Sequence, residues 1–170
     1  VESEKKEDKI ALDDSSGAAT KSYHISFFGG FYVIDSKGNN ITSSFTPLLK
    51  ELFLLIYLRS TDNTRIGISS EKLKEILWFD KSDKDARNNR AVNIARLKSL
   101  LKKVGDISLS KSTGYWKVEL DYSKVNVDYF DFRELTVVSS PTVDDIKSLI
   151  AITQRGKFLH NVAYEWLDSY

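Results

Sequence analysis

Hydrophobic and polar residues alternate along this chain at two periods, and the changes between them mark out its elements. From Lys84 to Val104, KDARNNRAVNIARLKSLLKKV, the period is helical: Ile94, Leu97, Leu101 and Val104 recur at spacings of three and four, and Arg90 and Ala91 extend their stripe. The stretch holds no Pro or Gly, so it predicts one helix of roughly 30 Å at 1.5 Å per residue. Asn88, Val92, Ala95, Arg96, Ser99 and Lys103 fall on the face opposite the stripe. The segment PLLKELFLLIYLRS is apolar nearly all round and predicts a buried helix, with Leu48, Leu52, Leu55, Ile56 and Leu58 at the centre of the core. Thr46 is its N-cap, and Pro47 takes the first position, where a missing N–H removes no hydrogen bond. A further helix, SEKLKEILW, is capped by Ser69 and turns Leu73, Ile76, Leu77 and Trp78 inward.

The period of two predicts strands. ISFFGGFYVID alternates around Gly29-Gly30, the Ser36-Lys37-Gly38-Asn39 cluster is a turn, and Asn40 to Ser44 gives another short strand of an antiparallel sheet. No phosphate-loop spacing follows the two glycines, so they read as a bulge or a close backbone approach. Ile66-Gly67-Ile68 predicts a short strand. ISLSKS and YWKVEL flank Ser112-Thr113-Gly114 as a hairpin, with Lys111, Ser112 and Thr113 at or near its tip. The fold class is therefore α+β. VDDIKSLIAI, near the C-terminus, adds an amphipathic helix.

Charge separates the long helix from the rest. Lys81 to Lys117 carries ten Lys/Arg against three Asp/Glu, whereas the whole 170-residue chain is only +1. From Val118 onward there are nine acids and five bases. Residues Val1 to Thr20 hold six acidic and three basic side chains and then SSGAAT, a composition too polar to offset the entropy of ordering. Residues 1–21 are therefore expected to be a disordered linker. With no Cys and only His24 and His160, the chain offers no disulfide framework and no thiolate metal site. Asp80, Asp83 and Asp85 alternate like calcium-loop carboxylates, but no Gly makes the sharp turn and no Glu closes the loop. Asp128 and Asp131 lie close in sequence, yet nothing supplies a convergent acid, base and nucleophile. The expectation is a protein that is not an enzyme, with no cofactor, no metal and no small-molecule substrate. No apolar run reaches membrane-span length and no signal-peptide pattern is present. The absence of Met leads us to expect a cytoplasmic piece of a longer, in one version membrane-anchored, protein.

The order of elements is helix, short strand, helix, long helix and basic hairpin, the layout of a winged helix-turn-helix. There the last helix (84–104) enters the DNA major groove, and the wing (107–120) meets the backbone or minor groove. Asn88, Asn89 and Arg96 are candidates for base edges, because amide and guanidinium groups form bidentate pairs with bases. Val92 is placed against a thymine methyl, and Ser99 lies on the same face. Arg87, Lys102 and Lys103 are candidates for phosphates, with Lys111, Ser112 and Thr113 as the wing. The alternative is a winged helix and helical tail used for protein docking without DNA, which the near-neutral total charge favours.

Tyr23 to about Leu135 resembles the winged-helix DNA-binding domain of OmpR/PhoB-type response regulators. It is still more similar to that of the antibiotic regulatory protein (SARP) type of activators. The resemblance rests on FFGGFYV, the Leu-rich first helix, SSEKLKEILW, Asn89, IARLKSLL, the wing motif TGYWKV and the exit NVDYFDF. Thr142 onward, with VDDIKSLIAI and RGKFLHNVAYEWLDSY, resembles the start of that family's tetratricopeptide-like bacterial transcriptional activator domain. The resemblance implies a DNA-binding domain over 22–136, a truncated helical segment over 137–170, and a transcription regulator serving as effector of a bacterial signalling protein. Partners implied are double-stranded DNA, RNA polymerase through the loop 79–85, and a second copy on DNA. Two departures stand out. Lys98 follows Leu97 where the family usually has Arg, and Arg90 stands at a usually apolar position, so base contacts do not carry over.

Overall fold

Helix α1 (Pro47–Thr61) begins where Thr46-Pro47 predicts. The Thr46 side chain accepts a hydrogen bond from the Leu49 N–H at 3.4 Å, satisfying one of the donors left free at a helix start. All residues from Leu52 to Leu58 are buried, so α1 is the axis of the core, which explains why it needs apolar residues on every side. In the computed structural model, which describes residues 21–169, four further α-helices and two small antiparallel sheets surround it. The linker expected over residues 1–21 lies outside the described residues apart from Lys21.

Strands β1 (Ile25–Ser26) and β2 (Tyr32–Val33) pair antiparallel, with Ile25 opposite Val33. They are short because Gly29 and Gly30, at φ of 77° and 112°, turn the chain between them. Gly29 lies against the backbone carbonyl of Arg155, where any Cβ would collide, so the close-approach reading of this pair is the right one. Phe27 and Phe31 close over Tyr57 and Phe53 of α1, at ring separations of 5.2 and 5.9 Å. Asn40 to Ser44 is not the expected strand. Only Asn40 bridges, to Ile34, and Thr42–Ser44 forms a 3-10 turn. Side chains here replace the ladder: the Asn40 amide oxygen accepts from the Thr42 N–H, and the Thr42 hydroxyl accepts from the Val33 N–H.

Strand β3 (Ile68–Ser69) leads directly into α2 (Ser70–Leu77), which Ser69 caps by accepting from the Lys72 N–H. Helix α3 (Asp83–Val104) starts one residue earlier than the periodicity predicts, because Ser82 caps it through the Asp85 N–H at 3.1 Å. Ile94, Leu97, Leu101 and Val104 are buried as expected. Toward the N-terminus the buried line runs through Asn93 and Ala86 with Arg90 half-buried, while Ala91 is exposed. Stepping back from Leu97 by three and four gives those positions, and Ala91 lies beside them.

Strands β4 (Ile107–Ser112) and β5 (Tyr115–Leu120) form the hairpin. Thr113 and Gly114 have φ of 51° and 88°, the two left-handed positions of a type I′ turn. β3 pairs with the other edge of β5, giving the order β3-β5-β4. Helix α4 (Asp128–Thr136) follows, then α5 (Val143–Thr153), which a Thr142/Asp145 capping box opens. Residues 154–169 return as a strap across the first sheet. The Leu159 N–H donates to the Phe27 carbonyl at 2.7 Å, Asn161 accepts from the Phe31 N–H at 2.8 Å, and the Trp166 indole donates to Glu51 at 3.0 Å. Leu159 is 1% exposed and belongs to the same hydrophobic cluster as α1 and α3.

Asp128 ties these parts together. Its fully buried carboxylate accepts from the Phe27 and Phe28 N–H groups at 2.7 and 3.1 Å, and the Arg155 guanidinium lies 3.5 Å away while also donating to Ser26. Burial pushes this carboxyl up to about 6, against the opposing pull of the two amides and Arg155.

Candidate nucleic-acid interface

The buried line of α3 fixes what the helix shows to solvent. Asn88, Val92, Arg96, Ser99 and Lys103, spaced by three and four, form one exposed stripe, and Val92 is 49% exposed. Arg87, Ala91, Lys98 and Lys102 form the neighbouring stripe, also exposed. From Ala86 to Val104 there are six Lys/Arg and no Asp/Glu. Among the described residues, none of these six cations is in a salt bridge. Arg87 feels the charge of Asp83 at the helix start, and the stretch as a whole carries a positive excess.

Asn89 departs from the other candidates. It is half-buried, and its side-chain amide donates to the Asp85 carbonyl one turn back at 2.9 Å, which turns it along its own helix. Asn93, buried behind it, does the same to the Asn89 carbonyl at 2.8 Å. Among the described residues, Asn88 and Arg96 make no such bonds. Ser99 and Lys103, with Arg96, border a shallow groove that runs toward Ser44 and Leu49 at the start of α1.

The hairpin stands beside the second stripe, and Trp116 of β5 is the joint. Its indole N–H donates to the Ser70 hydroxyl at 3.1 Å, and the Arg90 guanidinium bonds the Ser70 carbonyl at 3.4 Å, so one residue of α2 anchors both β5 and α3. The Lys98 ammonium lies 6.0 Å from the Trp116 ring centroid and that of Lys111 5.4 Å. Each such contact is worth ~0.5–1 kcal/mol at an exposed site. Lys111, Ser112 and Thr113 are all exposed at the hairpin end, as the sequence predicts. The pairing of β5 with β3 makes Trp116 an interior strand position, and its contacts with Ser70 and Lys98 come from other elements, which the local motif TGYWKV does not reveal.

The joint between α2 and α3 is shorter than the expected loop 79–85. Asp83 is already helical and pairs with Lys74, whose hydrogen bond and charge hold its carboxyl below the usual range. Asp85 bonds the Ser82 hydroxyl at 2.7 Å, and Asp80 faces Lys81 at 3.1 Å. The three carboxylates thus have separate partners. What remains between the helices is the turn Phe79 to Ser82, closed by the Lys81 N–H donating to the Trp78 carbonyl at 3.1 Å, with Phe79 80% exposed. Away from this region, Asp131 pairs with Lys21 at 2.7 Å, and the His24 Nδ1 accepts from the Asn126 N–H at 3.1 Å. His160 is exposed on the strap.

Among the described residues, no helix is long and apolar enough to cross a membrane. Comparison of the chain with family models, with curated proteins and with solved structures gave no match.

Proposed function

We propose that this chain is the DNA-binding part of a sequence-specific transcription regulator, built as a winged helix-turn-helix. Helix α3 is its recognition helix and β4–β5 its wing. The observation that carries this reading is the exposed side of α3, two adjoining stripes rich in unpaired cations, with Lys111 of the hairpin sharing the Trp116 ring with Lys98. Cations so placed neutralise backbone phosphates and release counterions, while Asn88 and Arg96 reach base edges and Val92 meets a thymine methyl. Arg87, Lys102, Lys103 and the wing residues Lys111, Ser112 and Thr113 take phosphates. Asn89 is assigned to orienting the helix start, given its bond to Asp85. The order of elements and the motif resemblance support the same reading. One α3 presents a single half-site's contacts, so two copies on a repeated or palindromic site follow. The exposed Phe79 supports the joint between α2 and α3 as the surface offered to RNA polymerase.

Arg96→Ala tests the assignment of base reading. The expected result is a loss of ~1–3 kcal/mol on the preferred duplex, with relaxed preference at one base pair and little change on random DNA. An equal loss on every duplex would move Arg96 to the phosphate-binding group. Protein docking without DNA is the second reading. It is favoured by α5, where Val143, Ile146 and Ile150 are 68%, 47% and 48% exposed on one side, whereas α3 exposes only Val92 among its large hydrophobics.

A further inference from the structure

The space between the two stripes and the hairpin has a shape and chemistry of its own. It is a notch of about 340 Å³ lined by Arg87, Arg90, Ala91, Ile94, Ala95, Lys98 and Trp116. Its lining is mostly apolar, with the Trp116 indole, Ile94 and two alanines contributing to it. Three cations stand around it, and Lys111 approaches the same ring from the hairpin. The sequence from Ala86 to Val104, and from Ile107 to Val118, contains no Asp or Glu to neutralise them. Arg90 is the cation that makes the notch unusual: it is half-buried, anchored by the Ser70 carbonyl, and in no salt bridge among the described residues. Ser70, the first residue of α2, holds Arg90 through its carbonyl and Trp116 through its hydroxyl, so both sides of the notch are fixed to one point.

Resting on the DNA reading above, we infer that this notch seats one phosphate group, in the complex a single backbone phosphodiester. Arg87 and Arg90 set the field, and Lys98 and Lys111 close on the phosphate from α3 and from the hairpin. Without phosphate the two lysines rest on the Trp116 ring, which holds both ammoniums within 6.0 Å of one centroid. An anion bound between them exchanges a weak cation–ring contact for a direct charge pairing on each lysine. The seat would fix the wing relative to α3 on DNA, and through it the register of Asn88 and Arg96 on the bases. Lys98, Arg90 and Trp116 become binding residues that position the reading side chains without reading sequence.

The test follows the Trp116 indole N–H resonance of the full chain, identified by its loss in Trp116→Phe, as inorganic phosphate is added. A saturating shift is expected in the wild type, abolished in Lys98→Gln/Lys111→Gln and retained in Lys147→Gln, a control on α5. Lys98→Gln alone, exposed and therefore expected to fold normally, should weaken binding to specific and random duplexes by the same factor, with the magnitude of the salt slope smaller by about one. A shift that persists unchanged in the double variant, or an unsaturated drift in the wild type, overturns the phosphate seat. Saturation by phosphate with no duplex binding would leave the seat standing and remove the DNA reading. Duplex binding with an unaltered salt slope in Lys98→Gln and no phosphate shift would do the reverse.

Discussion

Asp128→Ala is expected to destabilise the protein by about 2–6 kcal/mol in chemical denaturation, one of the two largest single-residue losses expected here. The substitution leaves the Phe27 and Phe28 N–H groups buried without acceptors, and each such orphaned donor costs about 1–3 kcal/mol. It also releases Arg155, which fastens the strap to β1 through Ser26. Asp128→Asn keeps one acceptor oxygen and should lose about half as much. The same carboxyl sets a pH dependence. Its folded-state value is raised by burial to about 6, above its ordinary 3.8, so its contribution is complete below pH 4 and is lost as pH rises through about 6. The wild type should therefore show a falling component of stability between pH 4 and 6, roughly 3 kcal/mol from a two-unit shift, and this component should be missing in Asp128→Asn. Identical slopes in the two proteins would mean that the carboxyl titrates normally.

Leu97→Ala is expected to cost about 2–5 kcal/mol, measured in the same way. Leu97 is fully buried on the line Ile94–Leu101–Val104, where α3 meets the core. The loss combines the transfer of the missing carbons with the cavity they leave. It also bears on the proposed function, because the orientation of the exposed stripes depends on this seat. Lys98→Gln, one residue away but exposed, should lose no more than the ~1 kcal/mol of its contact with the Trp116 ring. If Leu97→Ala were as stable as Lys98→Gln, α3 would be rotated from the position described.

The contrast between these two residues shows what can be read from a linear sequence. Leu97 was legible because its burial repeats at helical period within its own element. The same is true of the caps at Thr46 and Ser69 and of the Thr113-Gly114 turn, which act within a few residues. Asp128 was not legible. Its partners Phe27 and Phe28 are about a hundred residues earlier and Arg155 is on the strap, so locally it reads as an acidic residue in a helix's first turn. Trp116 escaped for the same reason, since Ser70, Lys98 and Lys111 come from three other elements. Asn40 to Ser44 misled because its side chains compete with the strand ladder, a choice that alternation does not reveal. For the candidate interface, periodicity placed Asn88, Val92, Arg96, Ser99 and Lys103 outward, where they lie, but it set Ala91 on the buried stripe and could not show that the Asn89 amide is turned back to Asp85.

The most direct measurement is selection of duplexes from a random DNA pool at low salt, followed by titration of the enriched sequences against increasing salt. The proposed function leads to a short repeated or palindromic motif, bound with an affinity that falls steeply as salt rises. Failure of the folded protein to retain any duplex, tested both as a monomer and as an enforced dimer, would contradict it and favour protein docking.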